Sequence, residues 1–513
     1  TGGDVEEING DALDASGMTT GATLTFGVDI TVTNSGGGPP GTGGGGPPGT
    51  GGGDGGTGGG PGGGTTTIVV GARLEAGAGN TADIMGVEDY TLGGGNDTVI
   101  DDSANNTVNM GAGDDIFRIT DGFGADTVHG GDGGEVVGDL IDGSAITPDV
   151  VVTFTADGEG TFTDGTDTLT FEGIERVATG AGNDSIFGGA GDDSANGGAG
   201  DDIFVVADGG GADFFDGGED GETTGDILDA AALTTGVTVT YTGDAATVSD
   251  GATTGGFANV EHVILGSGND TITGGTSDES ITANAGDDSF AVLDDFGTDS
   301  IALGAGQDTI DGAGLTTDAT VDFTSAGDGT LTSGANTVTF SSAETVTTGA
   351  GNDTINHSAA DENIATGAGD DTYNLADGFG TDTWDAGTGG EVSGDAINAA
   401  TLTGNTTATF NNDGSGTLTN GASTLSFQDV ENLTTAAGDD TITASSGDET
   451  ISTNDGDDTV FIADTTINER PTGEQLARIA RQCVARRRGP GQRHWSARLE
   501  YRRCVIGLRG GNR

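Results

Sequence analysis

Large apolar residues recur at a nine-residue interval through residues 179–205, TGAGNDSIF-GGAGDDSAN-GGAGDDIFV. Ile186, Ala195 and Phe204 occupy the eighth position of three consecutive nonapeptides. Gly or another small residue fills positions one to four, and Asp184, Asp193 and Asp202 fill the sixth. A period of nine fits neither a helix at 3.6 nor a long alternating strand. It predicts a tight glycine turn followed by a three-residue strand whose middle side chain points inward.

The pattern repeats along the chain. Blocks of three nonapeptides span 92–118, 179–205, 265–291, 348–374 and 435–461, so their starts are 87, 86, 83 and 87 residues apart. The first and third units of each block keep the G-x-D turn. The middle unit departs from it in four of five blocks (DDSANN, GGTSDE, HSAADE, ASSGDE), which leaves its strand residue (Val108, Ile281, Ile364 or Ile451) as the part needed to fill the core.

Inserts of about 60 residues separate the blocks, and they are related to one another. Each opens near a string such as DGFGADTV (121–128) or DGFGTDTW (377–384), where Asp126, Asp213, Asp299 and Asp382 are further ligand candidates. Strings such as GDLIDGSAI (138–146) come next. Alternating strands follow; in VTVTY (237–241), Val237, Val239 and Tyr241 share one face. Each insert ends in F-x-x-x-E, at Phe171/Glu175, Phe257/Glu261, Phe340/Glu344 and Phe427/Glu431. Three readings of that Glu stay open: a ligand, a cap on the following turn, or a solvated residue beside a packed Phe.

Composition turns this pattern into chemistry. Of 513 residues, 103 are Gly, and Lys is absent. Residues 1–464 hold 3 Arg against 80 acids, a net charge of −77, whereas residues 465–513 hold 12 Arg against 3 Glu, +9. Asp outnumbers Glu by 63 to 20, which solvation alone does not require. A body at −77 repels nucleic acid and anionic membranes, and it needs a counter-cation to compact. Both cysteines, Cys483 and Cys504, lie in the basic tail, so the body is no disulfide scaffold. No apolar run reaches a transmembrane length. His129, His262, His357 and His494 are scattered without an H-x-x-x-H pair, and neither G-x-S-x-G nor a P-loop occurs. The chain is therefore expected not to be an enzyme.

The nonapeptide G-G-x-G-x-D-x-U-x, with U a large apolar residue, resembles the haemolysin-type calcium-binding repeat of RTX proteins. The resemblance implies an all-β fold: parallel β-roll or β-solenoid segments alternating with β-rich inserts in five tandem long repeats. In that family calcium sits between stacked turns one and three and takes an Asp from each. The implied pairs are Asp97 with Asp115, Asp184 with Asp202, Asp270 with Asp288, Asp353 with Asp371, and Asp440 with Asp458. Asp193, in the one intact middle unit, is a further metal candidate. Backbone carbonyls would complete the 6–8 oxygens that Ca²⁺ prefers.

The expected organisation is a segment at 1–35 that reads as the end of an earlier repeat, a Gly/Pro-rich flexible linker at 36–64, the array at 65–464 and a basic tail at 465–513. Two readings of the tail stay open. One is a basic amphipathic helix starting near Thr472 for a membrane or anionic partner; the other is a segment foreign to the array. The expected function is calcium binding by an exported protein that folds on the ion, as a structural or adhesive array at the cell surface or outside the cell. The expected partners are calcium ions and surface or matrix components, with no nucleic acid and no transmembrane segment. Two alternatives are the calcium-dependent C-terminal part of an exported enzyme (protease, lipase or toxin) and a disordered acidic surface tract.

Overall fold

A nonapeptide is too short to bury its apolar residue alone, so the chain must stack turns to build a core. A computed structural model describes residues 89–92, 96–131, 133–447 and 449–462, with short strand segments at 13–14, 30–31, 66–70, 74–75, 80–84, 496–500 and 503–507. The linker and the expected tail helix lie outside the described residues. Those residues divide into two compact units, one of residues up to 230 with 252–260, the other of 231–251 and residues from 261. Among the described residues there are strands and turns but no helix.

In the first unit, successive nonapeptides go to two different parallel sheets, so every second strand is a neighbour. Val99 on Thr98–Ile100 lies opposite Phe117 on Ile116–Thr120, and Tyr90 opposite Val108. Ile186 lies opposite Phe204, and Val177 opposite Ala195. Units one and three of a block therefore stack on one edge, as expected. The insert adds a three-stranded antiparallel hairpin at Val151–Ala156, Glu159–Thr163 and Thr168–Glu172, whose outer strands rejoin the parallel ladder at Ile186 and Val128.

The second unit repeats this scheme. Ile272, Phe290, Ile310, Val346, Ile364 and Trp384 follow one another in register on one sheet. Val321, Ile355, Tyr373, Ile397, Leu433 and Ile451 do so on the other. All are buried. Tyr373 and Trp384 stack with ring centroids 5.5 Å apart. Val237, Val239 and Tyr241 are buried together, as the alternation of their strand required. In the described part of the tail, Ser496–Glu500 and Arg503–Gly507 form a hairpin whose second strand pairs antiparallel with Thr459–Ile462.

The core is thus built from one apolar residue of each three-residue strand and two from many of the longer ones. Its inward-pointing groups pack only if the intervening turns stack tightly, and that is what the glycines permit. Gly369 has φ +148°, and a Cβ there would run into the carbonyl oxygen of Gly351 in the turn below. Gly369→Ala is expected to cost more than about 3 kcal/mol, combining a strained φ with a backbone clash. Denaturant unfolding of the variant beside the parent would measure it.

Candidate metal centre

Most short strands of the nonapeptide blocks open on the same three-residue phrase: an acid, any residue, then the buried apolar residue. The acid closes the turn. Its Oδ1 accepts the backbone N–H of the acid one layer below, and this stacks carboxylates into ladders along the sheet edges. In the first unit, Asp97 N–H donates to Asp115 (2.6 Å), Asp115 N–H to Asp139 (2.7 Å) and Asp139 N–H to Glu175 Oε2 (2.8 Å). A second ladder runs from Val150 N–H to Asp184 (2.8 Å), on to Asp202 (2.7 Å) and then to Asp226 (2.6 Å).

The second unit has three more. Val237 N–H donates to Asp270, Asp270 to Asp288, Asp288 to Asp308 and Asp308 to Glu344 Oε2, at 2.7–2.9 Å. Ala319 N–H starts the ladder Asp353, Asp371, Asp395 and Glu431, again at 2.7–2.9 Å. Thr406 N–H starts the ladder Asp440 and Asp458 (2.7 and 3.0 Å). The structure therefore brings together all five expected Asp pairs. Asp193 belongs to a different contact, in which its N–H donates to Asp213 Oδ1 (3.0 Å).

Four further acids were missed by reading the nonapeptides alone: Asp139, Asp226, Asp308 and Asp395. They come from the insert strings that contain GDLID, GDILD, GQDTID and GDAIN, and they extend four of the five ladders by one rung. The signal was the acid-x-apolar phrase itself, present at Asp139-Leu140-Ile141 but hidden because Asp139 follows Asp115 by 24 residues. Glu175, Glu344 and Glu431 each accept the backbone N–H of the last Asp of a ladder and so cap the turn below them.

The middle units carry more than their strand residue. Their sixth position keeps an acceptor side chain, and in three blocks its N–H donates to the acid of the following insert. Asn106 donates to Asp126 (2.8 Å), Glu279 to Asp299 (3.1 Å) and Glu362 to Asp382 (3.2 Å). All six are buried. The phenol of Tyr373 also donates to Asp382 (3.0 Å).

The electrostatics of this arrangement are adverse by themselves. The second oxygens of Asp115, Asp139, Asp202, Asp270, Asp288, Asp308, Asp371, Asp395 and Asp440 are buried and have no hydrogen-bond partner. Residues 177–469 contain neither Lys nor Arg, and in the first unit Arg118 pairs with Asp142 rather than with a ladder acid. Burial, and then the neighbouring carboxylates, pushes Asp115 and Asp202 up to about 7, Asp371 to about 6, and Asp139 and Asp395 to about 8. Stacked buried carboxylates with orphan oxygens and no basic side chain fit a hard, oxygen-seeking cation.

Comparison with known protein families gives the same answer. The family model of the RTX calcium-binding nonapeptide repeat (4 copies) matches residues 90–117, 118–136, 169–204, 256–290, 338–373 and 428–460. RTX calcium-binding nonapeptide repeats recur across residues 90–460. No curated protein matches the chain. Calcium is therefore the ion of these turns, and the RTX repeat is a structural element rather than a catalytic one. The matched segments 169–204, 256–290 and 338–373 include the lead-in Phe and Glu of their inserts, and 428–460 includes Glu431, so the match extends N-terminal to those four nonapeptide blocks. Among the described residues no helix is long and apolar enough to cross a membrane.

Proposed function

We propose that this RTX array is an exported structural or adhesive element that stays unfolded at low calcium and folds where calcium is plentiful. The observation that carries the reading is the ladder of buried, orphaned carboxylates, whose charge has no internal partner. The ion would be held by the stacked pairs Asp97/Asp115, Asp184/Asp202, Asp270/Asp288, Asp353/Asp371 and Asp440/Asp458. Asp193 and its neighbour Asp213 would serve on the alternate edge. When bound, calcium supplies the positive charge that lets these acids ionise in place.

The chain's own residues do the rest. The acids hold the N–H groups of the layer below, the glycines let the turns approach, and the apolar eighth residues close the core. Binding free energy then becomes folding free energy. Extracellular calcium modules bind in the range of about 10⁻⁴–10⁻³ M, which would leave this chain unfolded inside a cell and folded outside. Five long repeats of near-equal length support a scaffold over an accessory to a single catalytic domain.

Far-UV circular dichroism of the full chain, titrated with Ca²⁺ and separately with Mg²⁺, tests the reading. A chelator-reversible coil-to-β transition with Ca²⁺ at millimolar levels or below, which Mg²⁺ fails to reproduce, is the expected result. A spectrum equally β-rich in chelator at pH 8 would overturn it.

A further inference from the structure

The ladder of Asp353, Asp371 and Asp395 ends in something other than a nonapeptide turn. The turn before Asp395 is longer, and it carries Glu391 four residues ahead of it. Glu391, Asp395 and Glu431 each place a carboxylate oxygen within 4.8 Å of the other two. We propose that these three residues form a second kind of calcium site, a three-carboxylate clamp that closes the ladder and is distinct from the paired-turn sites.

The cluster alone would not carry this, since exposed acids gather readily on a surface at this charge. Asp395, however, is fully buried, at 0% exposure, and its Oδ2 has no hydrogen-bond partner. Its Oδ1 accepts the Asp371 N–H (2.7 Å), while its own N–H donates to Glu431 Oε2 (2.9 Å). The charges facing it, those of Asp371, Glu391 and Glu431, are all negative. A buried carboxylate in that company requires a cation from outside the chain.

Three carboxylates offer the hard oxygen donors that Ca²⁺ takes in sets of 6–8, and the cluster is compact enough for one ion to reach all three.

The surrounding hydrogen bonds recur in the first unit, although Glu135, Asp139 and Glu175 do not bring three carboxylate oxygens as close together. Glu135 Oε1 accepts the Gly133 N–H (3.0 Å) as Glu391 Oε1 accepts that of Gly389 (3.1 Å), and Asp139 N–H donates to Glu175 (2.8 Å). In both units the residue before the Asp, Gly138 or Gly394, is a glycine at positive φ. A Cβ on it would lie 2.7 Å from the capping Glu. Asp308 provides an internal contrast: it is capped by Glu344, but its turn is of nonapeptide length and carries Gln307 with no Glu.

The clamp rests on the calcium-coupled folding proposed above, because Asp371 and Asp395 must stack for it to exist. Its test separates the two. Calcium bound per full chain is measured by equilibrium dialysis with ⁴⁵Ca²⁺, beside the far-UV spectrum, for the parent, E391Q and E391D. Gln keeps the acceptor for Gly389 and removes the charge; Asp keeps the charge but withdraws it by one methylene.

Both variants are expected to reach the parental β content at saturating calcium. One ion per chain should be lost, or weakened at least about tenfold, since even residues one shell beyond a metal ligand cost that much. Unchanged ion number and affinity in E391D, with the parent folding on calcium, would overturn the clamp alone. A parent that takes up no calcium would overturn the folding reading and the clamp together.

Discussion

With divalent ions chelated, the array is expected to gain β structure as the pH falls from 8 to about 4, and to lose it again on return. The cause is the set of buried ladder acids, which burial holds near 6 to 8 in the folded chain (Asp371, Asp115, Asp202, Asp139, Asp395). In the unfolded chain the same groups titrate near 3.9. Between about pH 4 and the folded values, the folded state binds more protons than the unfolded one. Stability therefore falls as pH rises through that window. It is fully present below about pH 4 and lost as pH passes the folded values.

A tenfold change in acidity corresponds to about 1.4 kcal/mol, and several such groups act per unit, so the term competes with the whole stability of a domain. The exposed acids Asp114 and Asp201 pull in the opposite direction. Three backbone N–H groups each lower them to about 2, so they begin to cost stability only as pH drops below about 4. Calcium reverses the main trend, because it needs the ladder acids ionised. A circular-dichroism pH series with and without Ca²⁺ should give curves of opposite slope between pH 5 and 8. Parallel curves would sink the ladder account.

The second large effect concerns one rung, Asp371. Asp371→Asn retains an oxygen for the Asp353 N–H and removes a buried charge. The calcium-free folded state should gain on the order of 2–3 kcal/mol at pH 8, from a carboxyl held near 6 against an ordinary value near 3.9. Calcium affinity of that ladder should fall at least about tenfold, since a ligand is lost. Asp371→Ala removes the charge and the acceptor together, and it leaves the buried Asp353 N–H without its partner at a cost of about 1–3 kcal/mol. The two variants thus share the calcium defect but differ in calcium-free stability. Trp384, stacked on Tyr373 one layer away, reports the transition by fluorescence in a Trp495→Phe background. Equal calcium-free stability of the two variants would show that the hydrogen bond from Asp353 contributes nothing.

How much was legible beforehand depended on whether a feature is local. The nonapeptide carries its turn, its strand and its inward residue within nine positions, so the strands at Ser185–Phe187 and Ile203–Val205 and the burial of Ile186 and Phe204 follow from spacing alone. The alternation between two sheets, which places Asp184 and Asp202 on the same edge, was implied by the resemblance to the RTX repeat. The charge of −77 on residues 1–464 with almost no basic residues already required a cation.

What the tertiary structure decided are the contacts whose sequence separation varies. Asp115 meets Asp139 across 24 residues, and Asp139 meets Glu175 across 36, because turns and hairpins of different length intervene. No fixed period marks such partners. Only stacking shows that Asp139 and Asp395 continue ladders begun by nonapeptides, and that Glu175 and Glu431 end them. The same holds for the middle units. Glu279 and Glu362 look like lapses from the repeat, yet stacking buries them against Asp299 and Asp382. A turn's composition fixes its own shape, but the partner of each carboxylate is set by the layer that happens to stack upon it.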